Sequence, residues 1–359
     1  MRKATRVAFV AAAVTALAPA SAMAATKTVT MGPGPKAQKT LGDKYFSDPL
    51  QYFPSTISIR VGDSVKFVPY GFHTVDIPAK GSSPQTPIAA TGKKAAGVND
   101  AAGNPFWFNG QEILGFSPAL LKSAFAKGLS YTYNGKKRIQ TGLPFQNKPK
   151  PVTVRFTKRG TVSYYCTIHP GMKGTVNVKS RRTRVASAKA DARRAASQTA
   201  AAIKTAKALT EAAAPSDGSI EVGQEANRVH RFAFNPATMN VAVGSTVTFK
   251  MPGTSGEIHT ATAGPGNPEK EPKSYLGTLA KAFESPTFAP AAFYGSEAPG
   301  TVGTLNPSSH GNGFWNSGVL DSLNATPSPA SSAVKFDAAG TYTFYCLVHP
   351  FMKATVTVA

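Results

Sequence analysis

The chain holds two cysteines in 359 residues, and each opens the same pattern: Cys166-x-x-His169-x-x-Met172 and Cys346-x-x-His349-x-x-Met352. A thiolate, an imidazole and a thioether on one short loop are soft donors, suited to copper rather than to magnesium or calcium. A trigonal site of two imidazoles and one thiolate with a weak axial Met needs one more histidine. His73, in Gly71-Phe-His-Thr-Val75, and His259, in Glu257-Ile-His-Thr-Ala261, stand at matching places upstream. Zinc also takes thiolate and imidazole, but Cu(II) binds more tightly in the general affinity order and Met is a poor zinc ligand. A Cys166–Cys346 disulfide is the ordinary reading of paired cysteines outside the cytosol. It would tie the two loops together and leave their His and Met residues without a role. Met172 and Met352 could instead fill apolar gaps, yet their identical spacing from the cysteines favours ligation.

These loops sit inside an internal duplication. Residues 54–67 (PSTISIRVGDSVKF) match residues 236–249 (PATMNVAVGSTVTF) at an offset of 182, and residues 160–173 (GTVSYYCTIHPGMK) match residues 340–353 (GTYTFYCLVHPFMK) at an offset of 180. The readable segments are strands: Ile57, Ile59 and Val61 alternate with polar neighbours, Val65 and Phe67 resume after a Gly62-Asp63 turn, and Val152, Val154 and Phe156 precede another turn. Met239, Val241, Val247, Phe249, Tyr342 and Phe344 repeat the pattern. Short alternating strands between Gly and Pro turns predict an all-β protein with two antiparallel β-sandwiches, one over residues 25–179 and one over residues 215–359.

Between them, residues 181–214 contain fourteen Ala and eight Lys or Arg with no Gly or Pro, which predicts a helix-forming linker. Its apolar stripe of Val185, Ala188, Ala192, Ala195, Ala196, Ile203 and Ala206 is mostly Ala and is interrupted by Thr199, so the expectation is a frayed, solvated helix. Residues 1–24 read as a secretory signal: Arg2, Lys3 and Arg6, an apolar run from Val7, and Ala22-Met23-Ala24 as the cleavage site. No later stretch approaches the ~20 apolar residues of a membrane span. The net charge of +22 is uneven. Residues 26–179 hold 21 basic against 6 acidic side chains, residues 180–214 hold 8 against 2, and residues 215–359 hold 8 against 10. A basic exported half suggests an anionic partner, such as an acidic redox protein or an acidic envelope polymer; solubility alone is the plainer reading. No zinc finger, RNP motif or basic recognition helix points to nucleic acid.

The strand-Cys-x-x-His-x-x-Met pattern with an upstream His, present twice, resembles the cupredoxins, the blue type 1 copper proteins of the amicyanin, pseudoazurin and plastocyanin kind. The resemblance covers both repeats. It implies two Greek-key sandwiches joined by the Ala-rich helical linker, with one type 1 copper on His73, Cys166, His169 and Met172 and a second on His259, Cys346, His349 and Met352. The implied function is single-electron transfer, with His169 and His349, beside Pro170 and Pro350, as the surface electron ports and Phe72 and Phe351 tuning potential. A copper-binding module that buffers or delivers the metal at the cell surface would use the same ligands. A multicopper oxidase or nitrite reductase needs further histidines, whereas four of the six are assigned and only His230 and His310 remain. Two departures from the family stand out. The 92 and 86 residues between first His and Cys require large insertions, read as loops over one end of each sandwich, with Trp107 and Trp315 in packing roles. Thr74 and Thr260 stand where many relatives have Asn, which leaves the hydrogen bonding around the site open.

Overall fold

The computed structural model describes residues 24–359; the predicted leader lies outside them except for its last residue. The chain is built mainly of β-strands, in four sheets of five or six strands and a two-stranded ribbon. In the N-terminal half, one sheet runs in the order Tyr52–Phe53, Thr26–Met31, Ser64–Pro69, Val152–Phe156, Ser130–Tyr133. The other runs Ile139–Gln140, Asp76–Ile77, Gly160–Tyr165, Lys173–Lys179, Thr56–Arg60. Alternation decides which face is inside: Ile57, Ile59, Val65, Phe67, Val152, Val154 and Phe156 are at most 1% exposed and meet in one core between the sheets.

The C-terminal half repeats this construction around Ile220, Val222, Val247, Phe249, Val334, Phe336, Phe344 and Val356. The repeat extends to register. Thr56 faces Thr175 in a parallel pair in one half, and Thr238 faces Thr355 in the other. The hairpin Gly160–Tyr165/Lys173–Lys179 has its counterpart in Gly340–Tyr345/Lys353–Val358. Both copies carry a cis X-Pro bond at the same place, Phe53-Pro54 and Asn235-Pro236. Where the copies differ, neighbours compensate. Tyr164 lies opposite Gly174, where a Cβ would come within 2.1 Å of its ring, and the smaller Phe344 lies opposite Ala354.

Three features join the halves. The short strand Ser47–Pro49, from the N-terminal half of the sequence, adds to the edge of the C-terminal half's sheet by pairing with Val229–Asn235, with His230 directly opposite Asp48. The insertions do not simply fold over their own sandwiches. They pack on one another in a third core, where Ala95, Phe106 and Phe108 meet Leu276, Leu279, Ala292 and Phe314. Trp107 Nε1 donates to the Gly295 carbonyl at 2.9 Å and the Tyr294 hydroxyl donates to the Glu112 carbonyl at 2.6 Å.

The third feature is the helix Ala188–Thr210, which is docked rather than solvated: Ala202, Ala206 and Leu209 pack with Leu41, Tyr45 and Val229. Its buried stripe is rotated from the one expected, since Ala192 and Ala196 are exposed while Asp191 is buried. Polar anchors set that rotation. Lys27 Nζ sits 2.7 Å from Asp191, both nearly inaccessible, and the Gln198 amide oxygen accepts from Ser55 N at 3.1 Å. Ser187 caps the helix by accepting from Ala190 N. Removing one partner of a buried ion pair leaves the other charge uncompensated. Asp191→Ala is therefore expected to weaken helix docking by about 3 kcal/mol, read as faster amide exchange over residues 188–210, whereas Lys27→Met with Asp191→Leu should restore protection.

The inserted segments are also pinned by charge. His310 lies between Asp100 of the first insertion, 3.3 Å from Nδ1, and Glu297 of the second, 3.1 Å from Nε2. Its hydrogen bond to Glu297, helped by Asp100, raises its pKa above the ordinary value against the effect of burial. A raised folded pKa contributes stability that is complete below the unfolded pKa near 6.5 and lost as pH climbs through the folded value. His310→Gln should therefore cost about 1 kcal/mol at pH 5–6 and progressively less toward pH 9, measured by thermal unfolding across a pH series.

Candidate metal centres

The two seven-residue turns from Cys to Met are closed by the same backbone bonds. Cys166 N donates to the Met172 carbonyl at 3.0 Å and Met172 N to the His169 carbonyl at 3.0 Å; the equivalents at Cys346, Met352 and His349 are 3.3 and 2.9 Å. This closure turns the histidine back over the cysteine. The upstream His73 and His259, just beyond Ser64–Pro69 and Thr246–Lys250, complete two groups, His73/Cys166/His169 and His259/Cys346/His349, whose donor atoms each lie within 4.8 Å of one another.

In the first group the two histidine Nδ1 atoms are 2.9 Å apart and Cys166 Sγ is 3.4 Å from His169 Nδ1. In the second, the Nδ1 atoms are 3.2 Å apart and Cys346 Sγ lies 3.5 and 3.7 Å from those of His259 and His349. Such separations fit three donors arranged ~2.0–2.3 Å from a common centre, and a soft set of two imidazole nitrogens and a thiolate fits copper. Met172 and Met352 are 1% exposed in the same loops. Both cysteines are free, so the disulfide alternative does not hold.

The threonines settle what the absent Asn left open. Thr74 N donates to Cys166 Sγ at 3.3 Å and Thr260 N to Cys346 Sγ at 3.4 Å. Each hydroxyl accepts from the residue after the cysteine, Thr167 N and Leu347 N, both at 2.8 Å. The hydroxyl thus ties the first-histidine segment to the cysteine loop and the backbone amide donates to sulfur in both groups, joined by Thr74 Oγ1 at 3.7 Å in the first and His349 N at 3.4 Å in the second.

With Nδ1 turned inward, each ring presents Nε2 to the seam between the halves, where those of His169 and His259 are hydrogen-bonded and those of His73 and His349 face a carboxylate beyond hydrogen-bond reach. His73 Nε2 faces Asp48 Oδ2 at 3.5 Å, His169 Nε2 faces Glu257 Oε1 at 2.9 Å, and His349 Nε2 is 4.0 Å from Glu257 Oε2. His259 Nε2 lies 2.8 Å from Nε2 of His230, whose Nδ1 rests near Glu225 and Ser255 at 3.4 and 3.3 Å. Asp48 and His230, opposite each other in the ladder, thereby serve one group each.

The two groups share a donor set but not a field. Burial opposes the charge on His73, and Asp48 beside it more than compensates, holding its pKa up at about 9; burial likewise opposes charge on His169, which Glu257 raises well above the usual range. Burial pushes the Cys166 thiol up, but His169 and His73 outweigh it and bring it well below the ordinary value. In the second group burial dominates: it lowers His349 to about 4, lowers His259 strongly with help from His349 and His230, and raises Cys346 to about 11. The acid placed against His73 in one group is replaced by an imidazole against His259 in the other.

One expectation is corrected here. His169 is 5% exposed because Glu257 from the other half covers its outer edge, so it is no surface port. His349 keeps 18% of its side chain exposed, and both histidines line an aromatic cavity of about 690 Å³ with Phe72, Phe232 and Phe351. Asp48, His230 and Glu257 carry no motif of their own; the one sequence signal was Glu257, two residues before His259.

A close backbone approach holds the His230–His259 pair. The register of Ile220–Ala226 against Val229–Asn235 shifts between Val222 and Gln224, and Gly223 stands there at φ +78° with a would-be Cβ 2.7 Å from both imidazole Nε2 atoms. A methyl group there meets both rings and a backbone conformation that L residues resist. Gly223→Ala is expected to weaken metal binding by the His259/Cys346/His349 group about tenfold and to leave the other group unchanged, as read by competition titrations with each cysteine replaced in turn.

No protein-family model and no curated protein matches the chain. Among solved structures, an oxidized amicyanin variant is 16% identical over 40% of this chain and 86% of its own, with a TM-score of 0.20. The oxidized plastocyanin of Dryopteris crassirhizoma is 23% identical over 39% of this chain and 99% of its own, with a TM-score of 0.21.

Proposed function

We propose that the chain is an exported, two-domain copper protein of cupredoxin type that carries single electrons. One copper is held by His73, Cys166, His169 and Met172, and a second by His259, Cys346, His349 and Met352. The observation that carries this reading is the same His–Cys–His group built twice, on equivalent loops of two repeats, with matched backbone bonds from Thr74 and Thr260 to sulfur. The proposed domains are residues 25–179 and 215–359, with residues 180–214 between them and Ser47–Pro49 lent to the second domain's sheet.

Copper bound there supplies a one-electron Cu(II)/Cu(I) couple. The residues' part is to hold a fixed geometry. Each loop is hydrogen-bonded shut, the cysteines are at most 3% exposed, and the outer imidazole nitrogens of His169 and His259 are hydrogen-bonded to Glu257 and His230. A site that neither rearranges nor admits water changes little between oxidation states, which favours transfer. The same burial favours retention of the metal over its delivery to another protein. His230 and His310 are each engaged, behind His259 and between Asp100 and Glu297, which supports a carrier over an oxygen- or nitrite-reducing enzyme. Electrons would enter or leave where His349 and Phe351 reach the surface, and the basic first domain would steer acidic redox proteins or anionic envelope material toward the chain.

The test is a metal count with a visible spectrum. Wild type is expected to bind two coppers with intense thiolate-to-Cu(II) absorption, and Cys166→Ser and Cys346→Ser are each expected to remove one copper and about half the colour. A single substitution that abolishes all colour, or a colourless wild type, overturns the proposal.

A further inference from the structure

We propose that Glu257 is a positioning residue shared by both metal centres, one carboxylate that orients the last histidine of each and makes the two sites a single coupled unit. The inference rests on the copper reading above and extends it from two separate sites to two linked ones. Its basis is geometric. Glu257 is 7% exposed, its Oε1 is 2.9 Å from His169 Nε2, and its Oε2 is 4.0 Å from His349 Nε2. The two imidazoles belong to different repeats, and their Nδ1 atoms belong to different donor groups. Glu257 lies two residues before His259, on the segment that also brings that ligand in, and Gly256 beside it is packed against Leu50 and the Pro170 carbonyl of the other half. Glu257 therefore stands on the segment that builds the second site while its side chain reaches the first.

The chemistry of the contact gives it two effects. At His169 the carboxylate accepts from Nε2–H at 2.9 Å, which fixes the tautomer that leaves Nδ1 free to ligate. At His349, 4.0 Å away, it acts as a negative charge beyond hydrogen-bond reach, and at both it makes the imidazole more electron-rich. The fixed tautomer favours ligation at the first site in either oxidation state, and the negative charge favours the oxidised metal at both sites through one side chain. A carboxamide keeps an acceptor oxygen for the hydrogen bond to His169 but loses the negative charge that His349 faces, and its other arm is an NH₂ donor. Glu257→Ala and Glu257→Gln thus make different predictions.

The experiment uses the full chain in two single-site backgrounds, Cys346→Ser to report on the first site and Cys166→Ser to report on the second. Each is combined with native Glu257, Glu257→Ala or Glu257→Gln. Copper affinity is read by chelator competition, and midpoint potential by spectroelectrochemistry on the thiolate band. Glu257→Ala is expected to weaken copper binding ~10–100-fold in both backgrounds and to raise both midpoint potentials. Glu257→Gln should spare one background and impair the other. An effect of Glu257→Ala confined to the first site overturns the inference, as does equal loss without a change in potential, which would mark a merely structural role. If the backgrounds with native Glu257 show no copper or thiolate band, the copper reading itself fails. The metal-free chain still decides the role of Glu257: imidazole ¹⁵N resonances of both His169 and His349 should move in Glu257→Ala while those of His73 do not, and movement of His169 alone overturns the sharing.

Discussion

An imidazole that turns Nδ1 toward a metal must turn Nε2 away from it, and a buried Nε2–H needs a partner. Four such nitrogens, from His73, His169, His259 and His349, point into the seam between the two halves, and Asp48, Glu257 and His230 stand against them there. Those groups stand where the halves meet, at the ends that carry the cysteine loops. The pairing of Ser47–Pro49 with Val229–Asn235 puts Asp48 and His230 side by side, one facing each donor group.

The remaining contacts hold this seam shut. The insertions share an aromatic core, with Phe106 and Phe108 stacked at 4.9 Å between centroids and Phe314 set against Phe106. Hydrophobic burial of this kind is strong but non-directional, so direction comes from the polar anchors: Trp107 to Gly295, Tyr294 to Glu112, and His310 between two carboxylates. The Ala188–Thr210 helix lies on Leu41 and Val229, reaching elements from both halves, with Lys27–Asp191 fixing its rotation. Small Ala side chains let it approach closely, and the buried ion pair supplies specificity that an Ala stripe lacks.

Identical His–Cys–His groups in unlike surroundings give the molecule its asymmetry. The first centre has a carboxylate against each histidine, whereas the second has a neighbouring imidazole against one and the far oxygen of a shared carboxylate against the other. Negative charge beside a ligand favours the more highly charged metal state. The duplicated sandwich therefore does not imply duplicated electrostatics, because the field is set by residues that the repeats do not share.

By itself the sequence determined whatever local chemistry and duplication determine. The alternation of Ile57, Ile59, Val65 and Phe67 dictated buried faces, and the Cys-x-x-His-x-x-Met spacing dictated a loop that folds its histidine over its cysteine, because both depend on neighbours a few residues away. The upstream histidines were legible because the second copy repeated them. The tertiary structure alone decided what stands behind the ligands. Asp48 and His230 are 182 residues apart and meet only through an exchanged strand, and Glu257 reaches His169 only because the halves face each other. The same holds for the helix. Composition predicted it, but its buried face follows Asp191 rather than the Ala stripe, since the partner that decides the rotation, Lys27, is 164 residues away. Contacts between distant segments leave no periodicity to read, and the position of the outer histidine partners, the shared core of the insertions and the burial of His169 are all contacts of that kind.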